Sequence, residues 1–303
     1  MRAVFDVRPV EWAETLAVLQ SVSLADVQSE VRAQVVAVDG TLATLDLPAL
    51  DGETSAEQLL AACVAGEWAD RGDVESCRLV SVEWPAGLPG PAFGAAPGVQ
   101  VGAILKPALG LTADDAARVA ARLVATTGAV LVKDDELQRS SSERVRAVNA
   151  AIPDDVLYAA NATGADAEAL VEAGARALMI NAFIAGLGSI TRLRGLGVPV
   201  FVHRVGSAFL RRSDRVSVGA RVLAELTRLL GADYVQVGSF SPRMFDTDAE
   251  VREQIAACHD ELHGVRRATA VVGGGVGPAN ADEHLERAGA RDGVMLLYGS
   301  AAY

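Results

Sequence analysis

Gly128-Ala129-Val130-Leu131-Val132-Lys133-Asp134-Asp135-Glu136 sets an apolar run directly against four charged residues. Read as a strand, the run ends on a period-two alternation. That alternation puts Lys133 and Asp135 on one face and leaves Glu136 just past the strand end. Lys133 is chemically unusual here. The chain has 27 Lys and Arg residues, and only Lys106 and Lys133 are lysines, each closing an apolar run. Arginine stays charged, whereas a lysine amine can lose its proton and react. A strand-end lysine paired with neighbouring carboxylates is the plain alternative.

Outward from this stretch one pattern recurs: an amphipathic helix, a glycine at its end, a short gap, then an apolar strand. The glycines are Gly128, Gly174, Gly197, Gly231 and Gly289. Glycine can close a helix in the left-handed conformation, so the spacing has a physical cause. Continuous apolar runs are what strands buried on both faces of a parallel sheet look like. Eight candidates begin near Gly102, Ala129, Val156, Ala177, Pro199, Asp233, Ala268 and Gly293. Eight parallel strands alternating with helices is the count of a TIM (β/α)8-type barrel. An open doubly wound sheet is the alternative, and it would place Gly-x-Gly-x-x-Gly after the first strand. Lys106-Pro107-Ala108-Leu109-Gly110 stands there instead.

The N-terminal part reads differently. Ala3 to Arg8 alternates as a strand, and Glu11 to Gln20 follows as a helix. Gln34 to Asp46 carries a hairpin signal around Asp39-Gly40, Ser55 to Ala65 a second helix, and Cys77 to Trp84 a last strand. The order β-α-β-β-α-β predicts a small ferredoxin-like α+β domain. The Gly/Pro-rich tract Pro85 to Gly98 reads as a linker and domain boundary, with a plain surface loop as the equal alternative on composition. The chain is therefore expected to be α/β, with a ferredoxin-like domain over 1–95 and the barrel over 96–303.

A net charge of −12 argues against nucleic acid or an anionic membrane as partner. No apolar run reaches the roughly eighteen residues of a membrane span, and Met1 to Asp6 is not a signal peptide. Cys63, Cys77 and Cys258 fall in no metal-ligand spacing. These features predict a cytoplasmic protein with reduced thiols.

A barrel gathers scattered polar residues, because active sites of this fold sit at the carboxyl ends of the strands. Those ends carry Lys106, then Lys133 with Asp135 and Glu136, then Asn161, Asn181, His203 with Arg204, and Gln236. Gly273-Gly274-Gly275 and Gly299-Ser300 end the last two strands. A glycine run there is either a tight turn or an anion nest of backbone amides. His259, His263 and His284 fall on predicted helices and read as solvated.

Taken together, these residues resemble the RuBisCO large-subunit superfamily. They are most like its non-carboxylating form IV members, the RuBisCO-like proteins. Gly102-Ala-Ile-Leu-Lys106-Pro-Ala-Leu-Gly-Leu111 is similar to the family's first-strand signature. Lys133-Asp134-Asp135-Glu136 is similar to its metal motif, Asn161-Ala-Thr-Gly164 to its third-strand end, and His203-Arg204 to its fifth-strand pair. Arg221 to Ser239 resembles its helix-strand unit before the sixth-strand site, and Gly90-Pro91-Ala92-Phe93-Gly94 its inter-domain loop. The resemblance covers nearly the whole chain.

The resemblance implies that Lys133 is carbamylated by CO2 and that the carbamate, Asp135 and Glu136 bind Mg²⁺. Hard oxygen ligands suit that ion. It implies Lys106 as acid, base or oxyanion partner, with Lys106, Lys133 and His203 catalytic. Asn161, Arg204, Gln236, Gly273, Gly274, Gly275 and Gly299 would bind substrate. The implied activity is proton abstraction next to a carbonyl, giving enolisation, isomerisation or decarboxylation of a small phosphorylated or carboxylated sugar-like compound. A non-catalytic or accessory protein acting by partner binding is the competing reading.

The departures oppose ribulose-bisphosphate carboxylation. Ala108 stands where carboxylases have a second first-strand lysine, Gln236 where they have a histidine, and Gly273 where they have a serine. Arg243 falls near the position of their mobile-loop lysine. In the small domain, Leu19 and Glu67 replace an acid and an amide that reach a partner's site. The sequence given stops at Tyr303, shortly after the eighth strand, so the expected barrel lacks its eighth helix. Val294 to Leu297 would then present a bare apolar face for another subunit to cover. A homodimer or higher homo-oligomer follows as the expectation.

Overall fold

The computed structural model describes residues 1–9, 34–46, 58 and 74–303. The chain divides into two compact units. One comprises Met1–Leu88 with Ser207–Leu226, the other Pro89–Gly206 with Thr227–Tyr303.

The first unit is a five-stranded sheet of β1 (Arg2–Pro9), β2 (Gln34–Asp39), β3 (Leu42–Asp46), β4 (Val74–Glu83) and β10 (Val216–Val218). Ala3, Phe5 and Val7 of β1 are buried at alternate positions, as a strand with one face on a core requires. Asp39 pairs with Leu42 around the Gly40-Thr41 turn, with Gly40 at φ 59°, which makes the predicted hairpin. The order β10-β4-β1-β3-β2 contains the β4-β1-β3-β2 arrangement of a ferredoxin-like sheet. β10 adds a parallel strand at the β4 edge. The two helices expected at Glu11 to Gln20 and Ser55 to Ala65 lie outside the described residues, as do Leu19 and Glu67.

The second unit is a closed, all-parallel barrel in the order β11-β12-β13-β5-β6-β7-β8-β9. Its strands in chain order are β5 (Val99–Ile104), β6 (Leu131–Lys133), β7 (Leu157–Asn161), β8 (Ala177–Ile180) and β9 (Val200–Val202). β11 (Tyr234–Val237), β12 (Thr269–Gly273) and β13 (Val294–Tyr298) complete it. All eight begin within three residues of the positions expected from the apolar runs. The helix-ending glycines take positive φ, and at Gly128 (φ 66°) the amide closes the helix Ala113–Thr127 on Val124 O. Leu131, Ala159, Met179, Phe201, Tyr234, Val271, Met295 and Leu297 from seven strands form one buried cluster, the barrel interior. Gly102 admits it: a Cβ there would lie 2.7 Å from Met295 Sδ.

One expectation is corrected. The outer face of β13 is not bare. Met295 and Leu297 fill the barrel interior, and the alternate residues Val294, Leu296 and Tyr298 are 0, 2 and 6% exposed within the single chain. Tyr298 is within electrostatic reach of Asp282 on the preceding helix Ala281–Ala288, and β13 runs on into the 3-10 turn Ser300–Ala302. No second subunit is needed to bury this strand.

The histidine reading is corrected too. His284 is buried against Phe240, His259 is half-buried with Nε2 3.0 Å from Gly293 O, and His263 lies on an exposed turn rather than a helix. Among the described residues no helix is long and apolar enough to cross a membrane.

Candidate active site at the carboxyl ends of the strands

Inward alternation carries past the strand ends. Leu131 belongs to the barrel interior, so Lys133, two residues on, enters the same space. The same parity places Lys106, Asn161, Asn181, His203, Gln236, Gly273 and Gly299 on the inward set of their strands.

Lys133 is fully buried, its Nζ 5.7 Å from the centre of the Phe201 ring and donating to Asp134 O at 2.6 Å. Burial pushes its amine down to about 8, although the charges of Glu136, Asp135 and Asp134 pull the other way. An amine at that value is partly uncharged at neutral pH.

Asp134 points away from the interior. Its carboxylate accepts from Arg144 Nε and Nη2, both at 2.9 Å, from Tyr158 Oη at 2.6 Å, and from Ser140 Oγ. All four residues are buried. Arg144 rides on the helix Ser142–Ala151, so one helix holds the end of β6 from outside.

Asp135 turns inward and forms an ion pair with the Lys106 ammonium. Burial opposes its charged form, but hydrogen bonds from Lys106 and the Leu137 N–H outweigh that and hold the carboxyl below its ordinary value. Glu136 reaches the mouth half-buried. Its main-chain carbonyl is gripped by the side-chain amides of Asn161 (3.2 Å) and Asn181 (2.8 Å). Asn161 also donates to Asp135 O and accepts from the Thr163 N–H, so its amide serves the 134–136 turn.

His203 is held well below the ordinary histidine value by burial first, then by Lys133, Arg204 and Lys106. Its ring is neutral. Nδ1 accepts from the Val205 N–H at 3.1 Å, so the proton sits on Nε2, which faces Glu136 Oε2 at 3.7 Å. That contact is a dipole turned toward a carboxylate, not an ion pair. Arg204 is fixed by Asp246 at 2.8 Å and lies over the Phe245 ring. A Cβ on Gly238 would sit 2.8 Å from both Arg204 and Asp246, so glycine makes room for that pair.

The Gly273–Gly275 run packs under the segment after β11. Ser239 Oγ donates to Gly274 O, and Cβ atoms on Gly274 and Gly275 would meet Met244 and Ser241. Asp134, Ser140, Arg144, Tyr158, Phe201 and Asp246 were not singled out by the sequence reading. Only Phe201 carried a usable signal, its parity with His203.

Among the described residues no three His, Cys, Asp or Glu side chains converge as a cation site. Asp135 and Glu136 offer two carboxylates beside Lys133, so a third oxygen donor would have to come from Lys133 itself. An amine near 8 makes that possible, and the donor chemistry fits a hard divalent ion on those terms.

The sequence profile of the ribulose bisphosphate carboxylase large chain, catalytic domain, matches residues 92–301. The 3-oxo-isoapionate-4-phosphate decarboxylase of Rhizobium rhizogenes is 27% identical over 280 residues, covering 81% of this chain and 66% of that protein. The chain thus spans slightly less than two thirds of that relative's length. A rubisco-like protein from Burkholderia fungorum superposes with a TM-score of 0.86 at 22% identity, covering 98% and 87% of the two chains. The octameric ribulose-1,5-bisphosphate carboxylase/oxygenase of Pyrococcus horikoshii gives 0.87 at 21%, covering 99% and 82%. These two are likenesses of fold.

Replacing Asp134 by Ala would leave Arg144 buried without its counter-charge. Asp134→Ala is expected to cost about 3–5 kcal/mol of stability in urea denaturation. A loss below about 1 kcal/mol would show that the pair does not hold the strand end.

Proposed function

The chain belongs to the ribulose bisphosphate carboxylase large-chain family, as one of its RuBisCO-like members. From that premise we propose that it is a metal-dependent enzyme forming an enolate beside a carbonyl of a small phosphorylated or carboxylated sugar-like compound. One observation carries the reading: a buried lysine amine at about 8, beside two carboxylates, in a chain with only one other lysine.

An uncharged Lys133 amine can add CO2 and become an anionic carbamate. Lys133, Asp135 and Glu136 would hold Mg²⁺, which when bound polarises a substrate carbonyl and stabilises an enolate oxygen. Lys106 supplies the proton chemistry. Its ammonium can protonate an enolate carbon, and its free amine can remove a proton from the same position. In a decarboxylation the bond to the leaving carboxylate breaks, CO2 departs, and the electron pair left behind takes a proton from Lys106. The similarity to a 3-oxo-acid phosphate decarboxylase supports this version over isomerisation.

The rest of the mouth suits such a substrate. Arg204, fixed by Asp246, brings positive charge for a phosphate or carboxylate. Neutral His203 offers an N–H. Asn181 Oδ1 and Gln236 Oε1 are buried without a donor among the described residues, and a hydroxyl-bearing ligand would supply one. Leu109, Leu137 and Ile184, each about 60% exposed, lie on segments after β5, β6 and β8, at the rim of the barrel mouth. Burying each is worth roughly 1.5–3 kcal/mol. A second copy of the chain covering this rim, as a homodimer or larger, is part of the proposal.

Three measurements test it. In calorimetry at fixed CO2 pressure, Mg²⁺ is expected to bind more tightly with CO2 than without, and Lys133→Ala to remove the difference. The CO2-dependent part should weaken as pH falls below about 8, because the uncharged amine then drops about tenfold per unit. Equal Mg²⁺ affinity with and without CO2 rules out the carbamate.

For the chemistry, CO2 release from 3-oxo sugar-acid phosphates, or α-proton exchange of related ketones in D2O, should fall about 10²–10⁴-fold in Lys106→Met. Exchange surviving both EDTA and that substitution places proton transfer elsewhere. Metal uptake with neither release nor exchange favours the accessory reading. For assembly, light scattering is expected to show a species larger than one chain that Leu137→Asp shifts toward the monomer; a wild-type monomer at micromolar concentration defeats this part.

A further inference from the structure

Lys106 is held at two ends, and only one of them belongs to the site described so far. Its ammonium sits on Asp135. Its main-chain N–H donates to the Tyr303 hydroxyl at 2.6 Å, and that hydroxyl donates to Ile104 O at 3.0 Å.

The pairing of β13 with β5 ends at Tyr298 with Ala103, so residues 104–106 have lost their partner on that side. On the other side β6 still serves them, through Leu105 N to Lys133 O at 2.8 Å. In a parallel ladder a partner residue gives its N–H to the carbonyl of residue i−1 and takes the N–H of residue i+1. The Tyr303 hydroxyl does both around Leu105. One phenol group therefore stands in for one missing residue of the ladder.

The group is well placed to keep that role. Its segment turns through Ser300–Ala302, with Ala302 N on Gly299 O at 3.0 Å. Ala301 is seated against Gly277, where a Cβ would lie 2.5 Å from the Ala301 methyl, so the turn after β12 has room for it only because residue 277 is glycine. Burial pushes the phenol above its ordinary value, so it stays protonated and can donate to Ile104 O.

We infer that Tyr303 is a positioning residue for Lys106. By extending the β5 ladder past the end of β13, it fixes the main chain from which the Lys106 ammonium is aimed at Asp135. A strand end free to pivot would let the ammonium leave that carboxylate. The inference gives Lys106 the proton-carrying part assigned to it under the proposed function. Its geometry, however, does not depend on turnover.

The chain's two lysines make the test simple. Lysine labelled with ¹³C at Cε gives two side-chain signals, assigned with Lys106→Met. In Tyr303→Phe, which keeps the ring and removes the hydroxyl, the Lys106 signal is expected to shift and broaden while the Lys133 signal stays in place. Acetylation of Lys106, followed by mass spectrometry, should quicken roughly fivefold, the size expected from losing a neutral hydrogen bond. A Lys106 signal and acetylation rate unchanged in Tyr303→Phe would overturn the inference, as would equal changes at Lys133, which would mark a general loosening. If Tyr303→Phe folds poorly, Tyr303→His keeps a ring with a donor and should restore part of the Lys106 protection; no protection beyond that of Tyr303→Ala would count against the role. No activity is read, so failure of the proposed enolate chemistry would leave the outcome at Lys106 standing.

Discussion

The ion pair of Asp134 with Arg144, sealed on the outer side of β6, is the interaction on which the candidate site depends. A carboxylate with no exposure survives only if its oxygens are fully served, and here Arg144, Tyr158 and Ser140 serve them. Alternation does the rest. With Asp134 anchored outward, Lys133 at the end of β6 and Asp135 just past it turn inward, on the barrel side. A slip of one residue would bring Asp134 into the barrel and send the lysine amine into the helix layer.

Two lysines then experience opposite surroundings beside the same Asp135 carboxylate. Lys133 lies over Phe201 with no contact with water, and burial outweighs three nearby carboxylates in setting its amine near 8. Lys106 keeps 29% of its side chain exposed and stays on Asp135. An arginine at either place would remain charged and could neither take up CO2 nor move a proton. The two lysines of this chain thus stand where the proposed chemistry calls for an amine.

Much of this was legible in the sequence because it rests on period and parity. The apolar runs located all eight barrel strands, since strands buried on both sides leave nothing polar to blur them. The strand ends located Lys106, Lys133, His203 and Gln236, and counting by two put Lys133 and Asp135 on one face. What stayed hidden depends on contacts between distant residues. Val216–Val218 is too short for an alternation to show, and it becomes a strand only because β4 offers an edge. Arg144 looks like any helix-surface arginine until Asp134 is placed under its helix. The expected bare face of β13 failed for a similar reason. Strand position gives which side a residue faces, not what the neighbouring helix and the following turn bring over it.

The departures from the carboxylases also look different once distances are known. Gln236 and Gly273, read along the chain as two separate replacements, are neighbours across β11 and β12. A Cβ on Gly273 would lie 3.2 Å from Gln236 Nε2 and 3.2 Å from Leu297, tighter than side chains normally pack. A serine at 273 would therefore press on the amide of Gln236 and on the barrel interior at once. Glycine at 273 thus leaves room at one strand end for the Gln236 amide of the next. That amide keeps its oxygen buried and unbonded among the described residues, at a small stability cost that the sequence retains. A hydroxyl or amide donor on a bound molecule would relieve that cost on the β11–β12 side of the mouth.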